Sequence, residues 1–379
     1  MDLWGNAPIS TKVGEPEMPA TNSRQEIFDF VESEILEILD DLPLLSQEEQ
    51  NCGRFTRAAG YAMLATLYLN AEEWTGTARW QDCITYCDHL INGDGGGQNG
   101  PIQLDDDIYK PFSNTNSEDS RENILVLSYD YMASGVKCGW AGDFYHFNQR
   151  YIYGGTDNGN DGVVVIPSAY DMFEDNDLRK QDWMLIGPQY DYNTGEPVVG
   201  TSEYTGQPLV FVPEIMRYSE GDTTTSTMYT GEENSGARFN KYNPGPLSDP
   251  NYYGNDWVLY RLTEFYFDKA EALMRLNGGK ATQEAVDLIN ACRQRAFSAE
   301  DWPNEKYTTA TLTLDELLAE RGREFIFEGK RRTDLIRFGK FLTESWWDHT
   351  PTTSEHLKIF PIPYDQTSLN PNLVQNEGY

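Results

Sequence analysis

The chain has 379 residues, of which 61 are acidic and 29 basic, giving a formal charge of −32. That balance excludes nucleic acid, whose phosphates need clustered Lys and Arg, and direct adhesion to an anionic lipid surface. The apolar content of 39% with 13% aromatics is that of a packed globular protein, and 23 tyrosines with nine tryptophans exceed what a core needs. No run of 18 apolar residues is present to span a membrane. "MDLWGNAPIS" carries no secretory signal and reads as strand or loop already inside a domain, as if the chain were amino-terminally incomplete.

In chain order, "SRQE" (23–26) is a capping box, and Ile27, Phe30, Val31, Ile35, Ile38, Leu39 and Leu42 predict an amphipathic helix ended by Pro43. Residues 56–74 predict a second helix whose Ala58, Ala62, Ala65 and Leu69 form a narrow face that allows close approach. Residues 78–92, with Trp80, Cys83, Ile84, Cys87, Leu90 and Ile91 at helical spacing, predict its antiparallel partner. A further hairpin is predicted at 258–276 and 281–297, broken by "NGG" (277–279). "TLDE" (313–316) is another capping box opening an element that runs to Gly329, followed by a helix at 332–342. Such pairs read as tetratricopeptide-like units.

Between the hairpins, at about 93–257, Gly, Asn, Asp, Ser and Tyr dominate, with strand-like runs at 123–129, 163–167 and 208–213. The segment is too aromatic for disorder. The expected architecture is mainly α, one domain: a scaffold of tetratricopeptide-like helical hairpins at about 21–92 and 258–345, carrying a large loop-rich insert with short strands. Within the insert, "WAGDFYHFNQRYIY" (140–153) puts six aromatics and a histidine into a stretch with neither helical nor strand period. These rings either fold inward as local core or stand as a platform for something flat and polar.

Chemistry-bearing patterns are sparse. Carboxylates are so many that neighbouring pairs carry no information, and no GxSxG or HExxH occurs. His89, His146, His349 and His356 lack metal-ligand spacing, and Gly-rich 93–100 follows a helix without the P-loop Lys–Ser/Thr. "DNGNDG" (157–162) opens like a calcium loop, but Gly159 stands at the third position and Ser168 at the twelfth, so a solvated turn is expected. Cys83 and Cys87, four apart, match neither a redox nor a zinc motif, and the five cysteines read as small buried hydrophobes. No catalytic residue, metal or cofactor is expected. The charged run 320–337 reads as an ion-pair network tying the last helices to the scaffold, with Glu328 and Arg332 at i,i+4 spacing.

"LTLDELLAERGREFIFEGKRRTDLIRFGKF" (312–341) and the ending "IFPIPYDQTSLNPNLVQNEGY" (359–379) resemble the carboxy-terminal signature of the SusD/RagB family. "DLWGNAPI", "AAGYAMLATLYLNAEEW", "YRLTEFYFDKAEALMRLNGG" and "LINACRQRAF" agree in order, weakest between 93 and 257. The resemblance implies a right-handed superhelical scaffold and a surface lipoprotein of the bacterial outer membrane. It also implies capture of oligosaccharide for a SusC-like TonB-dependent transporter, without catalysis. On that reading Trp140, Phe144, Tyr145 and Tyr151 supply stacking faces for a neutral glycan, and Asp143, His146, Asn148 and Arg150 hydrogen-bond its edges, while Phe147 and Tyr153 lean toward the core. Trp346 and Trp347 form a second aromatic patch for ligand or transporter contact. The rival readings are a peptide-binding helical-repeat adaptor and an all-α glycoside hydrolase.

Overall fold

The computed structural model describes residues 1–13, 18–46, 48–49, 51–129, 140–156, 158–247 and 253–379, and of Trp140 and Ala141 the backbone alone. Helix α1 (Arg24–Ile38) opens with both halves of its capping box: Ser23 Oγ accepts from Glu26 N at 3.2 Å and Glu26 Oε2 accepts from Ser23 N at 2.7 Å. It ends before Pro43, and the Arg57 guanidinium donates to the carbonyl oxygens of Asp40 and Leu42 beyond its end. Helices α2 (Arg57–Leu69) and α3 (Trp80–Ile91) form the first hairpin. Ala58, Ala62 and Ala65 are fully buried there, and a Cβ on Gly60 would sit 2.8 Å from Leu39 Cδ1, so α1 lies directly on that glycine. Cys83 and Cys87 are buried with their sulfurs 3.9 Å apart; Cys138 lies outside the described residues. The helix predicted to Trp74 divides at Asn70, whose Nδ2 donates to Thr66 O (2.9 Å) while its Oδ1 accepts from Arg337 Nη1 (2.9 Å). A short helix, Ala71–Thr75, follows.

The insert returns to the scaffold through a strand pair. Strand β1 (Asn123–Leu127) runs antiparallel to β5 (Trp257–Arg261), from Trp257↔Leu127 to Arg261↔Asn123, with irregular register between. Residues 258–261 are therefore extended, and helix α4 (Leu262–Leu276) starts four residues later than the periodicity predicts. Helix α5 (Gln283–Arg293) completes the second hairpin across Gly278 and Gly279, both at positive φ. Helix α6 (Leu314–Glu324) keeps half its capping box. Thr313 Oγ1 accepts from Glu316 N at 3.1 Å, but the Glu316 carboxylate is drawn away to Tyr307 Oη (2.7 Å) and Arg323. Helix α7 is Arg331–Arg337. Inside the insert, β2 (Val164–Val165), β4 (Ala237–Phe239) and β3 (Met184–Leu185) make an antiparallel sheet in that spatial order.

The 320–337 run is a buried ion-pair lattice shared by insert and scaffold. Glu320 accepts from Arg179 (2.8 Å), Arg293 (2.6 Å) and Arg323 (2.7 Å). Arg261 bridges Glu122 (3.0 Å), Glu324 (3.0 Å) and Glu328 (2.9 Å). Burial pushes Glu328 up, but Arg261 and Lys241 together outweigh it and hold the carboxyl down to about 2. Burial likewise draws Lys241 down to about 8 against the pull of Glu328; its ammonium rests 3.8 Å above the Trp183 ring. The i,i+4 pair of Glu328 and Arg332 does not form: α6 stops at Glu324, Phe327 takes φ +67°, and Arg332 turns to Asp2 (3.3 Å).

Residues far apart in sequence also pair at one edge. The two-residue strands Ala7–Pro8 and Thr21–Asn22 pair antiparallel, and the last segment of the sequence covers them. Phe360 N donates to Leu3 O (2.7 Å), Asn372 Nδ2 to Met18 O (2.7 Å), Val374 N to Thr21 Oγ1 (2.9 Å) and Asn376 Nδ2 to Trp4 O (3.0 Å).

Candidate functional site

The aromatic stretch folds as a short helix, Trp140–Phe144, and a 3₁₀ turn, Gln149–Tyr153, capped by Gly154 at φ 72°. Its inner side is core. Phe144 packs on Phe239 (4.7 Å between ring centres) and Trp257 (5.9 Å), and Tyr145 is wholly buried 5.4 Å from Tyr153. The chain at Gly159 lies so close that a Cβ there would come 2.0 Å from Tyr145 O. His146 is also wholly buried, its Nδ1 accepting from Asn148 N (3.0 Å) and its Nε2 3.4 Å from Glu233 Oε2. Burial, with the Arg238 charge, draws its pKa down to about 4, so the ring is neutral at pH 7. Asn148, buried, donates to Val199 O (2.7 Å). Phe144, Tyr145, His146 and Asn148, expected on a ligand face, are therefore turned into the interior, because the loop wraps onto strand β4. Tyr153 is buried as expected. The side chain of Trp140 lies outside the described residues.

The outer side keeps Asp143, Arg150 and Tyr151. The Arg150 guanidinium lies 4.7 Å from the Tyr151 ring centre and donates to Thr156 O (3.3 Å). Two residues not foreseen from the sequence join them. Tyr192 N donates to Tyr151 O (2.9 Å), and a Cβ on Gly154 would lie 3.3 Å from Tyr192 Cδ1, so the Tyr192 ring stands beside the Tyr151 turn. Tyr190, two residues earlier, is bridged to Pro197 in a turn closed by Asp191 Oδ1, which accepts from Asn193 N (2.8 Å) and Thr194 N (3.0 Å). Tyr151, Tyr190 and Tyr192 are 37%, 53% and 55% exposed. The readable signal was the alternation Tyr-Asp-Tyr ahead of Asn-Thr-Gly, a turn that displays two rings. The resulting surface offers flat ring faces beside a guanidinium and the Asn193 amide, a set suited to C–H faces and hydroxyl edges.

Trp346 and Trp347 lie elsewhere, on the 344–350 loop. Trp346 stacks on His349 (3.9 Å, 4°), and Trp347 Nε1 donates to Ser226 Oγ (2.8 Å). Asp157 of the calcium-like turn lies outside the described residues, and Asp161 pairs with Arg238. Among the described residues no group of three or more His, Cys, Asp or Glu is placed to hold a metal.

Comparison with known proteins gives a consistent picture. A model of the SusD family matches residues 167–379. In sequence the chain is similar to the starch-binding protein SusD of Bacteroides thetaiotaomicron, 27% identical over all of this chain and 70% of that protein. SusD-like protein P38 of Formosa agariphila is 24% identical over the same shares. In structure it is similar to a SusD superfamily protein from Parabacteroides distasonis (TM-score 0.73, 19% identity, 100% of this chain and 75% of that one). It is also similar to surface glycan-binding protein A from Bacteroides thetaiotaomicron, solved with laminarihexaose (TM-score 0.68, 21% identity, 99% and 74%). Two of these relatives, the starch-binding protein SusD and surface glycan-binding protein A, are described as binding proteins, not as enzymes. With the family match spanning more than half of the sequence and the helical scaffold in agreement, the chain belongs to the SusD family.

Proposed function

We propose that this protein is a non-catalytic binder of neutral oligosaccharide at the bacterial cell surface, lipid-anchored and serving a SusC-like TonB-dependent transporter. The observation that carries the reading is the convergence of Tyr151 and Tyr192, about forty positions apart in sequence, into one exposed face beside Arg150 and Asn193, with Tyr190 exposed two residues earlier. Ring stacking needs no charge neutralisation, so a protein of net charge −32 binds a neutral glycan without electrostatic opposition. Relatives described as binding starch and laminarihexaose support the ligand class. Among the described residues no helix is long and apolar enough to cross a membrane.

The test is the double variant Tyr151→Ala/Tyr192→Ala, titrated calorimetrically with starch- and laminarin-derived oligosaccharides. Both side chains are exposed, so the melting temperature should hold while affinity falls by at least about tenfold. Unchanged affinity in the folded variant rejects the tyrosine face. Release of reducing ends from any bound glycan would instead favour the glycosidase reading.

A further inference from the structure

Two clefts beside the Trp346–Trp347 loop are not used by the tyrosine face. One, of about 620 Å³, is walled by Phe147 and Trp347 and presents Asp161, Ser202, Glu203 and Ser235. The other, of about 660 Å³, is bordered by Trp346 and the α6–α7 corner. Ile166 lines both, so the adjacent tryptophans stand one in each of two adjoining clefts.

Backbone strain singles out the first cleft. Among the described residues, three non-glycine residues have positive φ: Asp161 (57°), Phe327 (67°) and Trp347 (38°). Two of the three, Asp161 and Trp347, line this cleft. Aspartate tolerates the left-handed region; tryptophan does not, and persists there only where its surroundings hold it. Here they do. Beyond the Trp347–Ser226 bond, Asp348 Oδ2 accepts from Met228 N (2.9 Å) and His349 N donates to Trp346 O (2.7 Å). Such strain concentrates at ligand clamps.

The polar floor is equally fixed. The Glu233 carboxylate is engaged by the N–H groups of Thr201 (2.8 Å), Ser202 (3.0 Å) and Tyr204 (2.7 Å). Arg238, fully buried, pairs with Asp161 through Nη1 and leaves its Nε without a hydrogen-bond partner. Rigid rings over a preset polar floor describe a small-ligand site. Carboxylates outnumber the single guanidinium, which disfavours sulfated or uronic sugars, whereas hydroxyl groups donate readily to such acceptors.

We infer that this cleft is a second saccharide site, taking a neutral segment of the glycan whose other segment lies on the tyrosine face; the inference rests on the glycan-binding reading above. Phe147 of the cleft and Tyr151 of the face are four residues apart in one loop, hence separated by no more than about 14 Å of chain. A single oligosaccharide engaging both gains affinity through effective concentration as it lengthens.

The experiment titrates α-1,4- and β-1,3-glucan oligosaccharides, disaccharide to hexaose, against the wild-type chain, Trp347→Ala and Gly231→Leu. A Cβ on Gly231 meets only Ile215 Cγ2, at 3.7 Å, so the leucine adds bulk to the cleft wall without a backbone clash and guards against misfolding of the tryptophan variant. The expected result is a wild-type affinity that rises with length. Both variants should lose about tenfold for the hexaose while keeping wild-type affinity for the disaccharide bound at the tyrosine face. Unchanged hexaose affinity in Gly231→Leu, with Tyr151→Ala/Tyr192→Ala still defective, overturns the second site and leaves the glycan reading standing. Failure of the wild-type chain to bind any member of either series overturns both.

Discussion

In the α2–α3 hairpin, close approach is made by Ala58, Ala62 and Ala65 against a face that includes Cys83 and Cys87, whereas around α4, α6 and α7 the same office falls to arginines and carboxylates. Arg321 bonds Asp268 (2.7 Å), Arg337 bonds Glu271 (2.8 Å), and Glu320 gathers three guanidiniums. Apolar contact is non-directional and indifferent to small slides. A guanidinium–carboxylate lattice has fixed forks and angles. The insert contributes Glu122, Arg179 and Lys241 to the ionic side, so its orientation on the scaffold is set by directional bonds. The contrast separates a region held by non-directional packing from one whose orientation is fixed by directional bonds.

The largest test of that contrast is Glu320→Gln. It leaves Arg179, Arg293 and Arg323 buried with one carboxylate fewer, and an expected loss of about 3–5 kcal/mol in chemical denaturation follows from breaking buried pairs on one side only. A loss below about 1 kcal/mol would show the lattice to be ornamental to stability.

Acid separates the regions next. His146 has its folded pKa near 4, below its ordinary 6.5, so its contribution is present above pH 6.5 and lost as pH falls toward 4. The full effect is up to about 3 kcal/mol. Glu328, depressed to about 2, contributes above pH 4.5 and loses that contribution only as pH falls toward 2. His146→Asn keeps an acceptor for Asn148 N and should flatten the upper window of a melting-temperature profile, leaving the lower one intact. Equal flattening of both windows would mean that loop and lattice unfold as one unit.

The smallest effect belongs to the apolar hairpin. Cys87→Ala removes one buried sulfur and should cost about 1 kcal/mol in the same denaturation experiment. A cost matching that of Glu320→Gln would erase the distinction between the apolar hairpin and the ion-pair lattice.

Local signals made much of the scaffold readable. The Ser23–Glu26 box, the small-residue face of α2 and the Asn277–Gly279 break each have a mechanism confined to a few neighbouring residues. Errors arose where a distant partner overrode the local one. Glu316 was expected to cap its own helix but answers Tyr307 and Arg323; residues 258–261 continue a helical period yet pair with β1. Burial was the least legible property in 140–153, because ring density is the same whether rings face in or out. Only the approach of Phe239 and of the chain at Gly159 decides it for Phe144 and Tyr145. Tyr192 was missed for the complementary reason: its partner is the Tyr151 carbonyl, across a gap that no local period records.

The seam at the chain's edge bears on how the protein is made. Asn370 Nδ2 reaches Pro19 O across 351 positions, and Asn372 Nδ2 reaches Met18 O across 354. A ribosome delivers residues 18–22 long before 370–376, so the Ala7–Pro8 and Thr21–Asn22 ribbon stays without its cover while the intervening residues are made. Loop-closure entropy grows only logarithmically with length, so this late clasp is little weaker than a local one, but contacts of such separation are found slowly. A nascent chain arrested before residue 370 should therefore hold its helical hairpins while residues 18–22 stay open to protease, and that edge closes only once residues 370–376 have emerged.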